Sequence, residues 1–167
     1  MNILITGGAG YIGSELIQYL LDDGHTVVAY DNLMYDPTSL LRYTNNPNFS
    51  FVKGDVRDLK LLKKYTDKAD IIIPLAALVG FPLCDKDVRG AHEINHEVNA
   101  WIAKNKSVDQ LVIYPCTNSG YGTSADGSVV TEESPLNPVS LYGRTKVAGE
   151  QEYRNVENHV TFRFATV

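Results

Sequence analysis

The chain has 167 residues, a length that suits one domain of about 100–200 residues. Fifteen Lys and Arg against twenty Asp and Glu leave a net charge of −5, which excludes the basic footprint of a nucleic-acid binder. Hydrophobic residues make up 44% and charged residues 21%, a globular composition rather than a disordered one.

Taken in chain order, Asn2–Thr6 reads as a strand that lacks a cationic start and reaches glycine too soon for a signal peptide. A helix is predicted over Tyr11–Leu21, a strand over Thr26–Tyr30, a short helix over Ser39–Tyr43 and a strand over Phe49–Lys53. There follow a helix at Leu59–Tyr65, a strand at Asp70–Leu75, a long helix at Lys86–Lys106 and a strand at Gln110–Cys116. Pro135 and Pro138 bound an irregular loop, and a helix at Leu141–Asn155 and a strand at His159–Ala165 complete the series. Most of the strands are nearly continuous apolar runs, as expected of strands buried on both faces of a parallel sheet. Strand alternating with helix predicts an α/β fold, a doubly wound parallel sheet of about six strands. Ligands of such sheets bind beyond the carboxyl ends of the strands. No apolar run approaches the about 18 residues of a membrane span. The two cysteines, Cys84 and Cys116, make neither a disulfide framework nor a zinc spacing. A cytoplasmic protein without membrane or nucleic-acid partners is the expectation.

Gly7-Gly8-Ala9-Gly10-Tyr11-Ile12-Gly13 joins the first strand to the first helix. It makes a side-chain-poor turn in which backbone N–H groups and a helix N-terminus face an anion, with Gly13 allowing close packing. A glycine motif alone is weak evidence. Here Asp31 ends the second strand about twenty residues later, where a carboxylate can hydrogen-bond an adenosine ribose and would repel a 2′-phosphate. Asn32 follows, and no arginine precedes Arg42 to receive such a phosphate. The combination predicts a Rossmann-type domain that binds NAD in preference to NADP. Asp55 and Val56, after the third strand, are candidates for the adenine edge.

Tyr142 and Lys146 stand at i and i+4 on one helical face. A free phenol has a pKa of about 10 and is a poor base at neutral pH. A nearby ammonium and a cationic nicotinamide ring would favour the phenolate, allowing Tyr142 to take a proton while hydride leaves the same carbon. Thr117, just past the fifth strand, offers a hydroxyl between substrate oxygen and phenol. His92-Glu93-Ile94-Asn95-His96 is a literal HExxH, the helix signature of zinc proteases. It lacks a third ligand at a suitable spacing, because His25 and His159 flank strands, so no metal is expected.

Together these segments resemble the extended short-chain dehydrogenases, the NAD-dependent sugar epimerases and dehydratases. The resembling pieces are Thr6–Gly13, Asp31-Asn32, Gly54-Asp55-Val56, Leu75-Ala76-Ala77, Thr117 through Tyr121-Gly122, Tyr142–Lys146 and Arg163–Val167. The resemblance implies bound NAD, a nucleotide-sugar substrate, and a catalytic set of Thr117, Tyr142 and Lys146. It implies a cofactor site built from Gly7, Gly10, Tyr11, Ile12, Gly13, Asp31, Asn32, Asp55, Val56, Leu75, Ala76 and Ala77, with Tyr142 and Lys146. Asn95 falls where the family has an Asn in its long central helix and joins that set. The 4,6-dehydratases follow their Thr with Asp and Glu, whereas Asn118 and Ser119 stand here, and a cysteine-bearing epimerase–reductase branch is disfavoured by the same Ser119. A 4-epimerase of the UDP-glucose type, which needs only Thr, Tyr and Lys, is the favoured reading. A 4-ketosugar reductase with the same residues and a non-catalytic dinucleotide-binding module are the alternatives.

The family also implies a homodimer formed through two long helices, for which Ala91, Ile94, Val98 and Trp101–Ile102 are candidate contacts. Six strand–helix units account for the whole of residues 1–167. The expectation is therefore one NAD-binding domain ending after its last strand, with the family's substrate lobe absent from this chain.

Overall fold

A computed structural model describes residues 1–123 and 129–165. Six strands form one parallel sheet: β1 (Asn2–Thr6), β2 (Thr26–Asp31), β3 (Phe49–Lys53), β4 (Ile71–Pro74), β5 (Leu111–Thr117) and β6 (His159–Phe164). Their spatial order is β3-β2-β1-β4-β5-β6. The chain winds outward from β1 to β2 and β3, then returns to place β4 on the other side of β1. That reversal opens a crevice at the carboxyl ends of β1 and β4, the position at which doubly wound sheets bind ligands.

Successive residues of one strand enter different cores, as the twofold strand period requires. Leu4, Ile72, Val112, Tyr114 and Cys116 are buried on one face together with Val98, Ile102 and Tyr153. Ile3, Ile5, Val27, Ala29 and Ile73 are buried on the other, with Ile17 and Leu21 of helix α1 (Tyr11–Asp22). Burial on both faces explains why the strands are apolar without interruption.

The strands follow the expected boundaries to within one or two residues, but two helical expectations need correction. Ser39–Tyr43 contains only a 3-10 turn at Leu41–Tyr43. The segment is too short to close successive i→i+4 bonds, and its residues are instead fixed by side chains such as Tyr43, whose hydroxyl donates to the Ser14 carbonyl at 2.6 Å. Helix α2 (Leu59–Thr66) matches closely and is capped by the Asp58 carboxylate, which accepts from Leu61 N.

The expected helix Lys86–Lys106 is neither single nor regular. Helix α3 (Phe81–Lys86) starts earlier, on Pro82 in its first turn. Asp87 then breaks the run at φ −131° and recaps the chain by accepting from Gly90 N at 2.8 Å. Helix α4 (Val88–His92) passes into a π-helical turn at Glu93–Glu97 and then into α5 (Val98–Asn105). Helix α6 (Leu141–Tyr153) opens on Ser140, whose hydroxyl accepts from Gly143 N at 3.0 Å. Among the described residues no helix is long and apolar enough to cross a membrane.

Candidate active site

The glycine turn is fixed by its own backbone. Gly7 adopts φ +71°, and a Cβ there would lie 2.5 Å from the Ala76 nitrogen, so the turn presses directly on the segment after β4. A Cβ on Gly13 would meet the Gly7 carbonyl at 2.7 Å, so this glycine packs helix against turn rather than helix against strand. Gly10 is the N-cap of α1 and brings no side chain to it, and the first helical turn carries no acid. Tyr11 and Ile12 are exposed at this end. The result is a helix N-terminus with uncapped N–H groups, aimed at the crevice beyond β1.

Asp31, at the end of β2, accepts from Ala9 N at 3.0 Å through one carboxylate oxygen and from Leu33 N at 2.7 Å through the other. It thereby ties the glycine turn to the start of the next loop. Asn32 is exposed, and its side chain accepts from Met34 N. Arg42 is turned towards α1, where it pairs with Glu15 at 2.7 Å.

Asp55 is not a free hydrogen-bonding edge. Arg57 clamps it at 2.7 and 2.9 Å and holds its carboxyl below the ordinary value. Val56 is buried in the core. Leu75, Ala76 and Ala77 are half-buried and line the crevice beside the glycine turn, with Leu75 N donating to the Thr6 carbonyl at 2.9 Å.

Asn95 sits on the π-helical turn and is fully buried. Its Oδ1 accepts from Leu78 N at 2.9 Å, while its Nδ2 donates to the Leu78 carbonyl at 3.0 Å and to Thr145 Oγ1 at 3.2 Å. Those bonds engage both amide atoms within the protein. Asn95 is therefore a bracket joining the loop after β4 to α6.

Thr117, Tyr142 and Lys146 converge where β5 meets α6. The Thr117 hydroxyl accepts from Ser119 N at 3.1 Å, and it also pulls the Tyr142 phenol towards ionisation. Burial outweighs that pull, so the Tyr142 pKa lies above its ordinary value. The neighbouring ammonium was expected to lower it, but Lys146 points elsewhere. Its Nζ rests over the Tyr114 ring, 4.4 Å from the centroid. Lys146 is 3% exposed, and among the described residues its ammonium has neither a salt bridge nor a hydrogen-bond acceptor. Burial lowers its pKa to about 8, so the ammonium stays charged at neutral pH.

Several supporting residues were not legible as site residues in the sequence. Glu150 of α6 and Arg163 of β6 form a nearly buried ion pair at 2.6 and 3.1 Å, and Arg163 also donates to the Tyr121 hydroxyl at 3.0 Å. This pair ties α6 to the sheet edge one turn beyond Lys146. The last two residues of the Arg163–Val167 segment lie outside the described residues. The HExxH side chains go to separate partners: Glu93 to Arg57 and Arg89, and His96 Nε2 to Glu152 at 2.8 Å. His92 is exposed, and no metal-ligating cluster forms among the described residues.

Comparison with known proteins agrees with this geometry. A putative UDP-glucose 4-epimerase of Methanocaldococcus jannaschii is 32% identical over 165 residues, covering 95% of this chain and 51% of that protein. The low-salt glycan biosynthesis protein Agl12 of Haloferax volcanii is 34% identical and is covered over 50% of its length. Among solved structures, the UDP-glucuronic acid 4-epimerase of Bacillus cereus, in complex with UDP-glucuronic acid and NAD, superposes with a TM-score of 0.85 at 29% identity. That match covers 98% of this chain and 56% of the other. The Bordetella bronchiseptica enzyme WbmG, in complex with NAD and UDP, gives 0.84 at 30% identity, over 96% of this chain and 52% of its own. The chain thus spans about half the length of the relatives it matches. The profile of the NAD dependent epimerase/dehydratase family matches residues 3–167, and the chain belongs to that family.

Proposed function

We propose that residues 1–167 form the NAD-binding part of a nucleotide-sugar 4-epimerase and carry its catalytic Thr117, Tyr142 and Lys146. The observation that carries this reading is the Lys146 ammonium, which ends a nearly buried side chain, lacks an acceptor among the described residues and stands four residues from a half-buried tyrosine. An ammonium with donors free and an open face is available to a ligand in the crevice. The hydroxyls of a nicotinamide ribose are suitable acceptors.

The rest of the crevice fits the same cofactor. The uncapped N-terminus of α1 suits a pyrophosphate, and the Asp31 carboxylate at the end of β2 suits an adenosine ribose rather than a 2′-phosphate. Bound NAD supplies the acceptance and return of hydride at the sugar carbon. Tyr142 takes the hydroxyl proton of that carbon and later gives it back. Thr117 holds the reacting oxygen against the phenol. Lys146 holds the ribose, while the Thr117 hydroxyl opposes the burial that keeps the Tyr142 phenol protonated.

Asn118 and Ser119 follow Thr117, so the site lacks the paired acids needed to move protons during loss of water, and this favours epimerisation over dehydration. A homodimer through the α5 and α6 surface and a cytoplasmic location belong to the same proposal. Both cysteines are free and buried, which suits a reducing compartment.

The test combines NAD titration by calorimetry with product analysis on UDP-glucose, UDP-galactose and UDP-glucuronic acid. NAD binding is expected of residues 1–167 and interconversion of 4-epimers once they are joined to a substrate-binding lobe of the family, with loss of turnover and retention of cofactor in Tyr142→Phe. Unchanged turnover in that variant overturns the mechanism. A net redox product in place of an epimer assigns the site to a 4-ketosugar reductase.

A further inference from the structure

Beneath Lys146 lies a tyrosine that the mechanism does not use. Tyr114, in the middle of β5, is fully buried and touches Lys146 at both ends. Its ring face carries the Lys146 ammonium at 4.4 Å from the centroid, and its hydroxyl donates to the Lys146 carbonyl at 2.9 Å. The carbonyl contact fixes the height of α6 above β5. The ring contact fixes where the side chain ends.

Room for this arrangement is made by Gly149. A Cβ there would lie 2.5 Å from the Tyr114 hydroxyl and 2.6 Å from the Asn95 carbonyl. Only a residue without a side chain lets the phenol reach α6 while the π-helical turn packs on its other side. Tyr153 buttresses the ring from a centroid distance of 5.3 Å and is itself held by Asn99, which accepts from the Tyr153 hydroxyl at 2.9 Å. Cys116, two residues along the same strand face, leans its thiol towards the same Lys146 carbonyl at 3.7 Å. The ring therefore has no freedom to leave its place under the ammonium.

We infer that Tyr114 is a positioning residue for Lys146: its π face holds the ammonium charged and in place at the end of the cofactor crevice, and its hydroxyl locks the backbone that carries it. The electron-rich face of a tyrosine attracts a cation, and the attraction strengthens where water is excluded. Among the described residues no carboxylate forms a salt bridge with Lys146. Glu150, one turn along α6, is paired with Arg163 at 2.6 Å. The ring and the Cys116 side chain are thus the groups that face the desolvation driving Lys146 towards its neutral form, and the buried Cys116 thiol has its own pKa pushed up, so it brings no negative charge at neutral pH. The inference rests on the cofactor role proposed for Lys146, but its first test does not require cofactor.

The experiment places phenylalanine and its mono-, di- and trifluorinated analogues at position 114. These keep the shape of the ring while draining its π face. The Lys146 ammonium is titrated by NMR of carbon-labelled lysine in the NAD-free chain, with Lys146→Met identifying the resonance. The midpoint is expected to fall stepwise with each fluorine, by about one pH unit across the series. Tyr114→Phe, which loses only the hydroxyl, is expected to lower thermal stability with a far smaller change in the Lys146 midpoint. A midpoint independent of fluorination, or a shift as large on loss of the hydroxyl alone, overturns the role of the ring. NAD affinity of the same series at neutral pH is expected to fall in parallel. Absence of NAD binding by the unmodified chain would reject the cofactor reading, while the NMR series would still decide whether the ring holds the ammonium.

Discussion

Lys146 sets function against stability within one side chain. Its folded pKa of about 8 lies below the ordinary 10.5 because burial penalises the charge. Between those values the unfolded chain still holds a proton that the folded chain has released, so stability rises with pH across that window. Below pH 8 both states are protonated, and the fold bears the full penalty, about 3 kcal/mol. Lys146→Met removes the charge while keeping a chain of similar length, and it is expected to raise the melting temperature of the NAD-free protein at pH 7 by several degrees. That gain is expected to disappear above pH 10, where wild type has shed its proton. The same variant is expected to lose NAD affinity by at least tenfold, read by calorimetry. Wild-type affinity should in turn weaken above pH 8 as the ammonium is lost. A destabilised Lys146→Met at pH 7 would show that the ammonium is better compensated than its neighbours indicate.

The element that organises the site is the π-helical turn between α4 and α5. It presents Asn95 inward, where one side chain bridges the loop after β4 and helix α6. Asn95→Ala would leave Leu78 N without a partner in a dry place and its carbonyl with only the Cys84 thiol, 3.2 Å away. A loss of about 2 kcal/mol is expected from one unsatisfied buried N–H and the lost amide bonds, measured by urea unfolding with an unchanged m-value. Asn95→Asp should be no better, because a carboxylate keeps the acceptor for Leu78 N but turns an oxygen onto the Leu78 carbonyl. Little of this turn was legible in the sequence. Strands such as Ile71–Pro74 announce themselves as apolar runs because both sheet faces are covered. The break at Asp87 and the π turn depend on how the helix meets α6, which no local pattern records. Tyr142 and Lys146 stood out because their spacing is a helical one. Tyr114 did not, because its contact with Lys146 spans 32 residues and exists only where β5 packs under α6.

On the scale of the whole molecule, two surfaces are candidates for the contact in the proposed homodimer. Ala91, Val98 and Ile102, expected as dimer contacts, are buried in the subunit's own core. This leaves the half-buried Ile94 and Trp101 to serve the α5–α6 surface. The second surface is β6, the outermost strand of the sheet among the described residues. Its register with β5 pairs Thr161 with Tyr114 and Arg163 with Cys116, on the face covered by α6. Val160, Phe162 and Phe164 therefore project from the opposite face, where they are 43%, 49% and 38% exposed. The Phe162 and Phe164 rings stack at 5.9 Å. Among the described residues this apolar row lies along the outermost strand, and charges placed along such a strand oppose pairing with a second copy. If residues 1–167 self-associate through this strand, replacing Phe162 and Phe164 together with lysine is expected to abolish the concentration dependence in sedimentation velocity while leaving the far-ultraviolet spectrum unchanged. Trp101→Glu is expected to leave that association in place and weaken only the discrete dimer. If the double-lysine variant instead dissociates the dimer, the two copies meet through β6, and the helices are not the interface.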